Sequence, residues 1–287
     1  MKSNNRESGM LWFGDSFAAK IFLAYCRFFP AHRGKRRICR AFNAVLMKNE
    51  LPIRSSHGAR LRVDPVDWIG RTIAFEGGYE PRSLALAAKI MAGGGVFVDV
   101  GCNFGLYTCG IGILPSVRCI AIDASFNALA KLSDNLKLNP GANVTVVNCA
   151  LAGENQIHCF DVPLEENLGT TRVTQKESGE SSSRFWVVGT TLDSVLKRVD
   201  AGMVKLLKID VEGFEMSVFK GLDFNGRFRP ANIIVECDPV GFQTANESFE
   251  FLVSRGYQPM TVEERPLRTC LNLPEMNVWF RDSKAVS

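Results

Sequence analysis

The sequence predicts an α/β fold, a mostly parallel sheet with helices on both faces, carrying a helical N-terminal extension. Three observations point there. From residue 81 onward, short apolar runs alternate with stretches of helical spacing, the pattern of a parallel sheet whose crossovers are helices. The first of those runs, VFVDV (96 to 100), leads straight into the glycine-rich turn GCNFG, a strand-to-helix junction of the kind that holds nucleotides in doubly wound sheets. A chain of 287 residues, 46% hydrophobic and 22% charged, is globular and large enough for one sizeable core and an accessory piece. We therefore expect residues 1–80 to form a helical and hairpin extension, and residues 81–287 the main domain, with an antiparallel insertion near 156–196.

In the extension, LWFGDSFAAKIFLAYCRFFP is apolar and the basic AHRGKRRICR follows it. Asp15 and Lys20 interrupt the apolar stretch, and its unbroken part, Ile21 to Cys26, is far short of the roughly 20 residues that cross a bilayer. The positive cluster follows the apolar segment and no small-residue cleavage site stands out, which argues against a secretory signal. An amphipathic helix packed on the main domain is the expectation, ahead of one lying on a membrane surface. ARLRVDP then reads as a hairpin strand.

In the main domain, SLALAAKIM reads as a helix stopped by Gly93, Gly94 and Gly95. The runs VFVDV, VRCIAID (117 to 123), NVTVVNCAL (143 to 151), VKLLKID (204 to 210) and NIIVECD (232 to 238) are central strands. FNALAKLSDNLKLN and FEMSVFKGL have helical spacing, the latter with Gly221 as its stop. Between Gln156 and Leu196 the rhythm breaks: IHCFDV and RFWVVGTTL flank the Ser-rich KESGESSSR, an antiparallel excursion with a solvated tip. FEFLVSRGY looks helical and NVWF looks like a late strand.

Charge and cysteine use narrow the function classes. A net charge of +4 falls short of the clustered charge of a dedicated nucleic-acid binder. The nine cysteines are scattered without any CxxC, which suggests neither a disulfide framework nor a zinc site and favours a reducing, cytoplasmic setting.

The glycine turn offers Asp99, Gly101, Asn103 and Gly105. Glycines here let the backbone approach a ligand closely. A dinucleotide site would show GxGxxG, but Asn103 stands at the second glycine, and Asp99 puts a negative charge where a diphosphate would be repelled. A cationic ligand fits better. S-adenosylmethionine carries a sulfonium and an ammonium and no phosphate, so a carboxylate beside the turn complements it. Asp123 ends the second strand 22 positions beyond Gly101, close to the spacing of roughly 20 at which an acidic residue takes a ribose hydroxyl pair. Each carboxylate alone would equally serve as a helix cap. Asn148, ending the third strand, is placed to face the adenine.

With these residues in place, the chain resembles the FkbM family of S-adenosylmethionine-dependent methyltransferases. The resemblance rests on FVDVGCNFGLYT, TTLDSVL, IIVE, the closing GY and above all LLKIDVEGFEMSVFKGL, and spans about residues 60 to 280. It implies a Rossmann-like class I methyltransferase fold for 81–287, Tyr107 among the cofactor residues, and O-methylation of a sugar or other small hydroxylated acceptor. The family commonly has GAN in the turn and Glu-Pro at the ribose position; this chain has GCN and Asp123-Ala124, the carboxylate on a shorter arm.

Methyl transfer to a hydroxyl needs the acceptor held in line and its proton managed. His32, His57 and His158 are the only histidines and none lies in a strand-end motif. The carboxylates are better candidates. Asp210 ends the fourth strand, and Glu236, with Asp238, ends the fifth. If the chain stays extended past Asp210, then Lys208, Asp210 and Glu212 share one face. Gathered carboxylates suit a general base with a raised pKa or, less favoured, oxygen ligands for a divalent metal. Lys208 could equally be the buried partner that keeps Asp210 ionised, and Glu215 reads as a helix-start residue. Two other classes rank lower. One is a non-catalytic or membrane-peripheral binding module using the amphipathic N-terminal segment with Arg33, Lys35, Arg36, Arg37 and Arg40 to engage anionic lipid or a partner; the other is a nucleic-acid methyltransferase, for which no NPPY-like tetrapeptide is present.

Overall fold

A computed structural model describes residues 51–55, 58–64, 67–76, 78–161, 184–237, 242–269 and 276–286. The expected N-terminal amphipathic helix, the basic cluster behind it, His32, His57, the Ser-rich tip and Asp238 lie outside the described residues. No helix among the described residues is long and apolar enough to cross a membrane. The chain divides into two compact units, Met1–Tyr79 and Glu80–Ser287.

In the first unit, β1 (Leu51–Arg54) and β2 (Arg60–Val63) form an antiparallel hairpin, and α1 (Trp68–Glu76) follows. Leu61 and Val63, two apart on β2, are buried while Arg60 is exposed, the alternation of a half-covered strand.

The second unit opens with α2 (Pro81–Met91), which ends before Gly93, and β3 (Gly95–Val100). Then come α3 (Leu106–Gly112), β4 (Val117–Asp123), α4 (Phe126–Lys137) and β5 (Val144–Asn148). Farther along are α5 (Leu192–Arg198), β9 (Val204–Ile209), α6 (Glu215–Lys220), β10 (Asn232–Glu236), α7 (Phe242–Ser254), β11 (Tyr257–Thr261) and β12 (Asn277–Asp282). Seven strands join in the order β11-β12-β10-β9-β3-β4-β5, and β12 alone runs antiparallel to its neighbours. Val98, Ile120, Leu207 and Ile233 on adjacent strands are wholly buried, as expected where helices cover both faces and strands read as unbroken apolar runs. Right-handed crossovers place α3 and α4 on one face and α6 and α7 on the other. On the latter face Phe219 stacks on Phe251 with ring centroids 5.7 Å apart, and Phe224 meets Phe251 edge-on. The sheet is Rossmann-like: strand order runs outward in both directions from β3 and β9, leaving a crevice at the carboxyl ends of those two strands.

Two expectations need correction. The run from 143 to 151 is not one strand. Asn148 turns its side-chain amide onto the carbonyls of Asp123 and Ala124 (2.9 and 3.1 Å) and ends β5. Ala150 and Leu151 then leave the main sheet as β6 and pair in parallel with β8 (Arg184–Thr190), which is antiparallel to β7 (Gln156–Asp161). The strand-like reading of RFWVVGTTL also runs too far. Thr191 caps α5, its hydroxyl accepting from the Ser194 amide at 3.2 Å, so the antiparallel insertion gives way to helix before residue 196.

Candidate active site

The glycine turn is shaped by what surrounds it. Gly101, at φ +75°, has no room for a side chain, because a Cβ there would run into the carbonyl oxygen of Asp210. Gly105, at φ +94°, would meet Leu132 of α4 in the same way. The Gly101 amide donates to Ile122 O (2.9 Å) and the Asp210 amide to Val100 O (3.0 Å), so the turn is clamped between the ends of β4 and β9. The loop that would meet a cofactor and the strand end bearing Asp210 thus touch through backbone.

Asp123 sits where the spacing put it, at the end of β4. Its carboxylate accepts from the amides of Asn103 (2.9 Å) and Ser125 (2.7 Å), which joins the glycine turn to the start of α4. Burial raises its pKa, and those two bonds work against the rise. Each oxygen keeps a second lone pair for a donor such as a ribose hydroxyl. Asn103 itself adopts φ +48°. Asn148 holds the turn after Asp123 with its amide.

Asp99 is only 2% exposed and accepts a hydrogen bond from the Thr108 hydroxyl of α3 at 2.5 Å. Burial raises its pKa to about 6, while Thr108 and the Lys208 ammonium hold it from going higher. The charge of Asp99 therefore lies under α3, beside the crevice floor.

Lys208 is the centre of the cluster, a lysine only 1% exposed in the middle of the sheet. Its ammonium lies 3.3 Å from Asp210 Oδ2 and 5.2 Å from the ring centroid of Tyr107. Burial alone would push its pKa down; Asp210, Glu80, Glu236 and Asp99 outweigh that and keep it protonated. Asp210, with 28% of its side chain exposed, reaches the crevice. Burial would raise its pKa, but Lys208 and hydrogen bonds with Glu236 and Lys208 bring it below the usual carboxylate range, so the raised pKa expected of a base is not found at Asp210. Glu236, across from it on β10, goes the other way: burial and the Asp210 charge push its carboxyl up to about 10. The two carboxyls are thus pushed in opposite directions, so that Glu236 holds a proton more readily than Asp210 beside the Lys208 ammonium.

Glu212 does not reach this cluster by strand alternation. β9 ends at Ile209, and Glu212 adopts φ +52° with Gly213 at +96°, so the chain turns left-handed where an extended continuation was expected. The turn still swings its carboxylate inward: Asp210, Glu212 and Glu236 each bring an oxygen within 4.8 Å of the others, a set that could ligate a hard divalent cation. Glu215 starts α6 and accepts from the Gly213 amide at 3.0 Å, the structural role expected of it.

Tyr107 is buried in α3 and donates its hydroxyl hydrogen to Glu80 Oε2 at 2.8 Å, facing Lys208. Burial, then the Glu80 charge, raises its pKa well above the ordinary value. Sequence reasoning missed Glu80, Thr108 and Phe126. Phe126 opens α4 three residues past Asp123 and is 71% exposed. An aromatic ring at the first position of a helix beside a strand-end carboxylate was a readable signal. Glu80 offered only a glutamate ahead of Pro81, and its partner lies 27 residues away.

Among known proteins, the family described as the methyltransferase FkbM domain matches residues 99–259, more than half of the chain. Methyltransferase sdnD of Sordaria araneosa is 28% identical over 180 residues, 53% of this chain and 70% of that protein. Among solved structures, the O-methyltransferase TomG of Streptomyces achromogenes aligns over 88% of this chain and 100% of its own, with 10% identity and a TM-score of 0.43. Precorrin-6y C5,15-methyltransferase of Geobacter metallireducens aligns over 71% and 86%, with 16% identity and a TM-score of 0.40. The family match, not these distant structural likenesses, carries the assignment.

Proposed function

The chain belongs to the FkbM family of methyltransferases, and from that premise we propose that it transfers a methyl group from S-adenosylmethionine to a hydroxyl of a sugar or other small acceptor. The observation that carries this reading is the Lys208–Asp210–Glu236 cluster at the carboxyl end of β9, in backbone contact with the glycine turn. The residues present fit the cofactor. Gly101 and Gly105 let the turn seat tightly against Asp210 and Leu132 at positive φ, Asp123 has lone pairs for ribose hydroxyls, Phe126 offers an apolar face to adenine, and the carboxylates favour a cation. When bound, S-adenosylmethionine supplies an already activated methyl group on a positively charged sulfur.

What remains for the chain is to orient the hydroxyl and take its proton. Asp210 accepts a hydrogen bond from the acceptor hydroxyl and takes the proton as the new carbon–oxygen bond forms. Lys208 keeps Asp210 ionised beforehand, and Glu236, protonated, donates to Asp210 and fixes its orientation. Glu212 faces the same opening. A second reading is favoured by the convergence of Asp210, Glu212 and Glu236: a divalent cation that lowers the acceptor's pKa in place of a base. We rank it second because the set offers three protein oxygens, about half of the six or more that a hard divalent cation takes. The acceptor reading puts nucleic acid and lipid surfaces behind small hydroxylated molecules.

The test is a screen with methyl-labelled S-adenosylmethionine over glycans and hydroxylated metabolites, run with and without a chelator. Label transferred to a hydroxyl and unaffected by chelation is the expected result. Transfer abolished by chelation and restored by a divalent cation supports the metal reading; label transferred only to nitrogen or carbon overturns the O-methylation.

A further inference from the structure

Glu80 lies outside every motif that suggested the site. It is the residue before α2, with φ +48° and ψ +48°, a left-handed conformation that glycine or asparagine adopts readily and glutamate does not. Its side chain makes no capping bond to the helix, although Pro81 at the first helical position leaves a place that Ser, Asp or Asn would ordinarily fill. A strained glutamate that does not cap its helix directs attention to what its side chain does elsewhere.

That side chain turns toward the crevice. Its Oε2 accepts the Tyr107 hydroxyl at 2.8 Å, and Tyr107 presents its ring to the Lys208 ammonium, 5.2 Å from the centroid. Tyr107 also bonds Ser83, a fully buried residue in the first turn of α2, so the start of α2 is tied to α3 at this point. Glu80 and Asp210 are the two strongest attractions on Lys208. The Lys208–Asp210 contact is a long one, at 3.3 Å. An ammonium on a flexible four-carbon stem with one such contact can lean away from it; a second carboxylate and an aromatic face narrow its range.

We propose that Glu80 is a positioning residue of the transfer site: with Tyr107 it fixes the Lys208 ammonium, and through Lys208 it fixes the Asp210 carboxylate that meets the acceptor. The inference rests on the methyl-transfer reading for its purpose but not for its test. In protein labelled with nitrogen-15 at lysine, the buried Lys208 ammonium is identified by the signal missing from Lys208→Arg, and its hydrogen exchange is followed by NMR. Glu80→Gln keeps an oxygen for Tyr107 and removes the charge; the Lys208 protons should then exchange about tenfold faster, with a displaced nitrogen resonance and an almost unchanged Tm. Glu80→Gly relieves the left-handed strain but removes the acceptor of the buried Tyr107 hydroxyl, so its Tm should stay near or fall modestly below that of the parent while Lys208 is disturbed as much or more. Lys208 signals and exchange identical to the parent in both variants would overturn the proposal and leave Glu80 a backbone residue. Calorimetry with S-adenosylmethionine on the same proteins keeps the two ideas apart. No binding by the parent sinks the methyl-transfer reading alone; binding by all three with Lys208 unmoved sinks the Glu80 role alone.

Discussion

Replacing Asp99 by asparagine tests what the buried carboxylate costs and what it does. Asp99 is 2% exposed, and burial raises its pKa from 3.8 to about 6. Between those values the unfolded chain has lost a proton that the folded chain keeps, so stability falls as pH rises through the window. At about 1.36 kcal/mol per pKa unit, the charged Asp99 costs the folded state about 3 kcal/mol once pH is well above 6. About 1 kcal/mol of that is already present at pH 4.5, so the stability advantage of Asp99→Asn should widen by about 2 kcal/mol between pH 4.5 and pH 8. Asparagine keeps an oxygen for the Thr108 hydroxyl, so little else need change. Urea unfolding of both proteins at the two pH values measures the gap. The same variant should bind S-adenosylmethionine more weakly at pH 8, having lost a charge that favours a cation. A gap that stays constant with pH would refute the account of Asp99 as a carboxylate kept charged at a cost in stability.

Gly101→Ala puts a methyl group into the Asp210 carbonyl at a positive φ and should destabilise the protein by about 3 kcal/mol or more, lowering Tm and disrupting the crevice together; an unchanged Tm would contradict the described contact. Glu236→Gln retains a donor to Asp210, so transfer should survive within about tenfold, whereas Glu236→Ala, which removes the donor that orients Asp210, should lower it by more than that. Equal, complete loss in both would favour a metal-ligand role over the hydrogen-bonding one.

The central strands were legible because a doubly covered parallel strand is apolar along most of its length, and VFVDV, VRCIAID and VKLLKID keep that pattern despite Arg118, Lys205 and the two buried charges Asp99 and Lys208. Asp210, Asp123 and the glycine turn were legible for a related reason. A carboxylate or a glycine at the end of such a run sits at the sheet's carboxyl edge whatever the loops do. Where the reading failed, the cause was contact with residues remote in sequence. The break at Cys149 depends on Asn148 finding the Asp123 and Ala124 carbonyls and on Ala150 pairing with Gly189. The inward swing of Glu212 depends on a left-handed turn that period-two alternation has no way to express. Glu80 enters the site only because α3 brings Tyr107 to it. Lys208 was read as one of two things, a member of the site or a buried partner of Asp210, and its 3.3 Å contact and 1% exposure make it the partner within the cluster.

The central claim is that cofactor and chemistry meet at the junction of the glycine turn with the end of β9, and that Asp210 serves the chemistry. Calorimetric titration of S-adenosylmethionine into the parent protein and Asp210→Asn, paired with labelled methyl transfer to an acceptor from the screen, tests it most directly. The account predicts near-equal cofactor affinity and a fall in transfer of about 10² or more in the variant. No binding by the parent at millimolar concentration, or parallel loss of binding and transfer in Asp210→Asn, would contradict it.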